Sequence, residues 1–385
     1  MGSKYPVVRN KYLRKYLCGY DFLSRLLINK KLPQHKKVKK LLLRNPAALG
    51  DVFYTLRLVR AIKEANPGIF IGLLVGSWVL PLVKYSTDID AIHIEDHWTL
   101  NRGNMSSAEK IGHWLYTRFC VVSEIKHEQY DMAIDLYPYF PSAASLLWQA
   151  GIPERIGYDS REGNVFYTNA VKWANLDIHN VEYQSNLVKK ASISISDISS
   201  VNIKIDFGKC DDDLLKTYSL FKKRYLVISV GSGEIKREWS IEKWQFLLKQ
   251  MYSSLQSYYF VFVGVGKRED ERIVDLMQAV FDRGMSLCNK LSIPELMQII
   301  KHASLFIGLE SFAGHIAAMY KVPQISIMHG STKQVHWEPF ANPNCTVVRK
   351  NMSCSPCYFP SHCQYENACM NISAEVVWQK VNEKI

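Results

Sequence analysis

The sequence predicts an α/β protein of two domains, each built on a parallel sheet. Three observations carry this prediction. Residues 305–328 read as strand, polar turn, helix and strand. Residues 41–75 repeat that order. A chain of 385 residues with 48% hydrophobic content can bury two sizeable cores.

Taken in order, Leu41 to Arg44 is a short apolar strand. The turn Asn45-Pro46-Ala47-Ala48-Leu49-Gly50-Asp51 leads into a helix with Val52, Leu56, Val59 and Ile62 on one face, and Asn66-Pro67-Gly68 stops it. A second strand, Ile69 to Val75, follows. Gly50 lets backbone approach a ligand, and Asp51 stands at a helix start, where the dipole stabilises a carboxylate whether it caps or reacts. A boundary is expected near residues 190–222, where SISISDISS and Asp211-Asp212-Asp213 precede a fresh strand, Tyr225 to Val230. Leu305 to Leu309 is a buried strand that ends in Glu310-Ser311-Phe312-Ala313-Gly314-His315. A helix begins at once with Ile316 to Tyr320, and Gln324 to Met328 forms the next strand after Pro323. Free N–H groups at the start of such a helix can hold an anion, and His315 can add a donor. A final helix is expected over Ser373 to Val381.

Charge is unevenly placed. Residues 1–44 hold thirteen Lys or Arg and one acid, Asp21, while the remaining residues carry equal numbers of each sign. Leu13, Leu17, Tyr20 and Leu27 recur near helical spacing, so residues 7–31 are expected to form an amphipathic helix on an anionic membrane surface. The competing reading is a helix that packs on the body. No nucleic-acid motif accompanies the charge, and no nucleic-acid partner is expected. No run of about 18 apolar residues occurs, so no spanning helix is expected. The opening lacks a signal-peptide pattern, so secretion by that route is not expected either. Cys354, Cys357, Cys363 and Cys369 follow C-x2-C-x5-C-x5-C spacing, which suits one structural zinc or iron ion or, alternatively, four reduced thiols in a packed loop.

Several ordered segments resemble the bacterial ADP-heptose:lipopolysaccharide heptosyltransferases, glycosyltransferase family 9. They are Asn45 to Gly68 with its Gly-Asp, Tyr130 to Leu136, Ser142, and Arg155 to Asp159. Gly231-Ser232-Gly233, Lys236-Arg237-Glu238-Trp239 with Trp244, Glu310 to His315 and the cysteine-rich ending continue the series. The resemblance covers roughly residues 40–385. It implies a GT-B fold, two Rossmann-like domains facing a central cleft. Residues 40–205 would be the acceptor domain and 222–350 the nucleotide-sugar domain, preceded by a basic extension over 1–39 and followed by a Cys-rich segment with the final helix over 351–385.

The resemblance also implies inverting heptosyl transfer without a required metal or other catalytic cofactor. The donor would be a nucleotide sugar, ADP-heptose, and the acceptor a lipopolysaccharide core or related surface glycan, on a cytoplasmic enzyme at the inner face of the membrane. Asp51 would be the base. Donor binding would fall to Gly50, Ser232, Lys236, Arg237, Glu310, Ser311, Phe312, Ala313, Gly314 and His315. Ala47 and Ala48 stand where hydroxyl residues are usual, Glu310 and Phe312 replace Asp and Gly, and an inserted Glu238 leaves Lys236 and Arg237 as competing phosphate ligands. Counting back from Trp239 favours Arg237.

Other readings fit less of the chain. A protein hydroxyl could replace the glycan acceptor, and a non-enzymatic membrane adaptor could use a degenerate transferase fold. A nicotinamide dehydrogenase would need G-x-G-x-x-G, which Gly231-x-Gly233 and Gly264-x-Gly266 lack. Asp88-Ile89-Asp90 matches an Asp-x-Asp metal pair, but is read as a structural strand edge.

Overall fold

The computed structural model describes residues 37–139, 141–160, 163–206, 211–220, 224–358 and 363–385, with Gly19 alone before them. The basic helix expected over residues 7–31 lies outside the described residues. The chain divides into two compact units, one running to Leu176 and resuming at Asn180–Ile205, the other formed by Asp177–His179 and Asp206–Ile385.

The first unit contains β1 (Lys40–Arg44), α1 (Leu49–Ala65), β2 (Phe70–Val75), α2 (Leu80–Val83), β3 (Ala91–Ile94) and α3 (Ser107–Glu128). It continues through β4 (Met132–Asp135), α4 (Ala144–Gln149), β5 (Glu154–Tyr158), β6 (Asn169–Val171) and α5 (Asn180–Lys190). All strands pair in parallel in the order β3-β2-β1-β4-β5-β6. Leu41, Leu42 and Leu43 are fully buried because helices cover both faces of a central parallel strand. Val52, Leu56, Val59 and Ile62 of α1 are buried as their spacing predicts. Gly68 ends that passage at φ +87°, a conformation that favours glycine. A capping box between Ser106 and Glu109 starts α3.

The second unit contains α6 (Asp211–Thr217), β7 (Arg224–Ser229), α7 (Ile241–Ser254), β8 (Tyr258–Phe262), α8 (Lys267–Met277) and β9 (Gly284–Ser286). α9 (Ile293–Lys301), β10 (Leu305–Leu309), α10 (Phe312–Met319), β11 (Gln324–Met328), α11 (Gln334–Trp337), β12 (Cys345–Arg349) and α12 (Ala374–Asn382) complete it. Its parallel sheet runs β12-β11-β10-β7-β8-β9. Read from β9, that is the same strand order as in the first unit, the doubly wound order in which ligands bind outside the carboxyl ends where the order reverses. The reversals fall between β1 and β4 and between β7 and β10. Val377 and Val381 of α12 join Trp239, Trp244, Leu247 and Leu248 in the second core, and Trp239 Nε1 donates to the Ile372 carbonyl at 2.9 Å.

In the segment after residue 190, Val201 and Ile203 are buried and Ile205 bridges Ser86. One expectation is corrected here. Asp88 and Asp90 sit in the turn before β3 rather than on a strand edge, but they are structural. Asp88 meets Arg60, and Asp90 meets Lys63 Nζ at 2.5 Å and the Ile71 N–H at 2.6 Å.

Candidate active site

At the first reversal, β1 runs into Asn45 and α1 starts at Leu49. Asn45 Oδ1 accepts the Ala47 N–H at 3.1 Å, and its amide donates to Thr55 Oγ1 at 2.8 Å. From the other side Trp78 Nε1 donates to the Ala47 carbonyl at 2.9 Å. The loop is thus held twice before Gly50 and Asp51. The N-cap is Ala48, whose side chain makes no capping hydrogen bond, so Asp51 is not the N-cap but lies in the first helical turn, half-buried. Its carboxylate there is favoured by the helix dipole.

Beneath that loop lies a buried ionic network that the sequence did not reveal. Arg44, at the end of β1, bonds Asp135 at 3.3 Å and the Pro141 carbonyl at 2.9 Å, and lies 3.8 Å from Glu95. Asp135 also accepts from Tyr167 at 2.7 Å, and Glu95 from Arg118 at 3.2 Å. Burial, with the Arg44 and Arg118 charges, pushes the neighbouring His97 imidazole down to about 3. Buried charges this close must be paired, and the pairing fixes the ends of β1, β3 and β4.

At the second reversal, β10 delivers Glu310 and α10 begins. Ser311 is the N-cap, its hydroxyl accepting the Gly314 N–H at 3.4 Å, and Phe312 is the first helical residue. Gln324 on β11 donates to the Gly314 carbonyl at 3.1 Å and ties the helix to the sheet. Ala313, Gly314 and His315 are buried. Burial pushes the His315 imidazole down to about 4. At neutral pH it is therefore uncharged and offers a neutral hydrogen bond rather than a cation.

The loop after β7 carries Ser232, Lys236 and Arg237. Arg237 Nη1 donates to Glu310 Oε1 at 2.6 Å, so the guanidinium favoured as phosphate ligand is already paired with the carboxylate expected beside the sugar. Glu310 is nearly buried, at 7% side-chain exposure. Burial raises its carboxyl, opposed by Arg237 and Arg349, and its Oε2 has no hydrogen-bond partner. Arg349, at the end of β12, donates to the Gly330 and Thr332 carbonyls at 3.2 and 2.8 Å. Its Nε and the buried hydroxyls of Ser331 and Thr332 are likewise without partners, and this cluster went unnoticed in the sequence. Unsatisfied buried polar atoms gathered at one sheet edge mark where a polar ligand can complete them.

Lys236 is the competing candidate. With His329, Cys354, Cys357, Cys363 and Cys369 it lines a cavity of about 20 Å³. Cys369 Sγ lies 3.3 Å from His329 Nε2. The described cysteines are free thiols. Among the described residues no three His, Cys, Asp or Glu side chains are arranged to hold a metal ion, so the spacing brings the four thiols to one cavity without forming the expected ligand set.

The family model of glycosyltransferase family 9 (heptosyltransferase) matches residues 118–368. The chain belongs to glycosyltransferase family 9. This glycosyltransferase is 22% identical over 306 residues to lipopolysaccharide heptosyltransferase 3 of Escherichia coli, covering 76% of the chain and 84% of that protein. Its fold is similar to that of a family 9 glycosyl transferase from Veillonella parvula (TM-score 0.70, 16% identity, 92% and 99% of the two chains). It is also similar to that of an E. coli heptosyltransferase solved with ADP-2-deoxy-2-fluoro heptose (TM-score 0.65, 18% identity, 90% and 100%). At these identities the solved structures establish the fold, two doubly wound units of GT-B type.

Proposed function

We propose that this glycosyltransferase moves a heptose from ADP-heptose to a lipopolysaccharide core or related surface glycan, with inversion and without a catalytic metal. The supporting observation is that the residues singled out for base and donor stand at the two strand-order reversals. Asp51 is at the first, and Glu310, Arg237 and the start of α10 are at the second. The names of the heptosyltransferase relatives support the sugar and acceptor class.

In this reading Asp51 takes the proton of an acceptor hydroxyl. The hydroxyl oxygen bonds to the anomeric carbon as the bond to the diphosphate breaks. The departing charge is met by the amino end of α10, by Arg237, and by a neutral N–H from His315. Glu310 faces the sugar or ribose. The basic residues 1–39 hold the enzyme at an anionic membrane surface.

A thermal-shift series tests the donor. A ligand bound only to the folded state at about 100 times its dissociation constant adds about 2.7 kcal/mol of stability. ADP and ADP-heptose are expected to raise the melting temperature clearly, and UDP and GDP at equal concentration much less. An equal response to all three diphosphates removes the adenine assignment. The cysteine spacing supports a structural zinc or iron ion, which the final loop would complete on binding. Elemental analysis of protein purified without added metal is expected to give about one ion per chain. Zinc and iron together well below that, with titratable thiols, leaves four reduced cysteines around the His329 cavity.

A further inference from the structure

We infer that the outward face of α3, with the loop that leads into it, is the surface through which this enzyme rests on an anionic lipid bilayer. α3 is held by one face only. Trp114 and Arg118 reach Glu95 at 3.2 Å each, and Val121 and Ile125 are buried. The other face of its first four turns should be polar in a solvated helix. Instead it presents Ile111, Leu115, Tyr116 and Phe119, with Leu115 54%, Tyr116 68% and Phe119 80% exposed. Residues 111, 115 and 119 follow one another at four-residue spacing and form one stripe. Trp98 and Met105, 38% and 39% exposed, add apolar side chains on the preceding loop. A contiguous apolar patch of this kind marks an interaction surface.

Charge and chain path decide what covers it. Arg102 in the preceding loop and Lys126, about two turns beyond Phe119, are exposed, and Lys110 in the first turn is half-buried. Glu109 and Glu124 are exposed acids that offset these cations, Glu109 bonding back to Ser106 and Glu124, 56% exposed, meeting His93 at 3.4 Å, so the cationic excess comes from the preceding chain. Lys40 Nζ donates to the Glu128 carbonyl at 3.0 Å, and the Lys39 and Lys40 N–H groups to Asp131 at 2.8 Å. The chain that precedes β1 therefore joins this unit beside the carboxyl end of α3. That preceding chain, residues 1–36, holds nine Lys or Arg against Asp21. An apolar, aromatic-bearing face on a unit whose preceding chain is polybasic is the pair of signals that gives stable yet reversible attachment to anionic lipid, since neither suffices alone. The loop with Trp98 leaves the sheet at the same carboxyl edge as the loop with Asp51. Attachment by this face would thus present the acceptor-side edge to the lipid, which deepens the proposed reading of a lipid-borne acceptor while being tested apart from it.

The experiment compares the full chain with its Leu115→Ser/Phe119→Ser form in vesicle co-sedimentation, on phosphatidylcholine alone and on an equal mixture with phosphatidylglycerol. Removing two large exposed apolar side chains is expected to weaken partition onto the anionic vesicles about 10-fold or more. At about 1 M salt, where the basic segment is screened, the parent should keep residual binding that the variant lacks. A Val265→Ser/Phe281→Ser control, altering comparably exposed residues of the second unit, should bind as the parent does. Melting temperature and the ADP-induced shift should be unchanged in the α3 variant, so loss of the ADP response in both proteins would count against the donor reading alone. Equal vesicle binding by parent and α3 variant at both salts overturns the inference. So does a parent that elutes as a dimer, becomes monomeric in the variant, and binds lipid equally in both forms, because the face then belongs to a second copy.

Discussion

Asp51→Asn is expected to lower turnover about 100-fold or more, equivalent to about 2.7 kcal/mol of transition-state stabilisation. The substitution keeps the size and a hydrogen-bonding oxygen, but an amide cannot take the acceptor proton. The loop that carries it should not move, because Asn45 and Trp78 hold the Ala47 backbone from opposite sides. Stability should change little, since a first-turn carboxylate contributes only about 0.3–1 kcal/mol through the helix dipole. Donor affinity, read by calorimetry with ADP, should stay within about twofold because, apart from the Gly50 backbone, the proposed donor residues belong to the second unit. Near-normal turnover in this variant would return Asp51 to a helix-start charge and place the base elsewhere.

The second large effect concerns the Arg237–Glu310 pair. Arg237→Ala is expected to weaken ADP binding about 10-fold or more, because a charge-assisted contact is worth roughly 1.5–3 kcal/mol. It also leaves Glu310 nearly buried with Arg349 as the remaining nearby cation. Removing one partner of such a pair destabilises by about 3–5 kcal/mol at most, less if the carboxyl takes up a proton. The sign follows from the proton balance. Burial already raises the Glu310 carboxyl above its unfolded value, and loss of Arg237 raises it further. The folded variant therefore holds a proton that the unfolded chain releases above the ordinary Glu range, near 4.3. The difference in melting temperature between parent and variant should be small below that range and grow as pH rises toward neutral. Glu310→Gln added to Arg237→Ala should recover most of the stability but not the ADP affinity. A melting difference that is flat with pH, or ADP affinity unchanged in the single variant, would remove the pair from the donor site. His315→Ala should cost less, about 2- to 10-fold in ADP affinity, because its imidazole, held near 4, offers only a neutral contact.

Local pattern made the central strands and the two turns readable. Leu305 to Leu309 is β10 to the residue, because five apolar residues between polar turns leave no other register. Gly50-Asp51 and Glu310 to His315 could be singled out because strand, small residues and helix succeed one another along the chain. What was missed comes together only through sheet order. Arg44 and Asp135 are register partners on β1 and β4, and Glu95 follows β3, two strands from β1, so sheet order brings the three together from distant parts of the chain. Arg349 closes β12 as an ordinary-looking basic residue, and only the neighbouring β11 turn gives it carbonyls to bind. The Arg237–Glu310 contact was also invisible, since each residue had been assigned to a different part of the donor. The cysteine spacing brings four thiols and His329 to one cavity, and whether they hold an ion is left to the elemental analysis.

In the second unit, Glu269 of α8 accepts the Gly231 N–H at 2.9 Å and the Val265 N–H at 3.2 Å, so one side chain ties together the turns that follow β7 and β8. A methyl group added at Gly231 would stand 2.2 Å from its Cδ, and one at Gly264 2.3 Å. Neither glycine can gain a side chain while that carboxylate keeps its place, and the carboxylate cannot leave without freeing two backbone donors. The three positions are therefore coupled by geometry. Across descendants of this chain, a change at one should be accompanied by changes at the others, and directed evolution that varies them singly will meet a barrier that joint libraries do not.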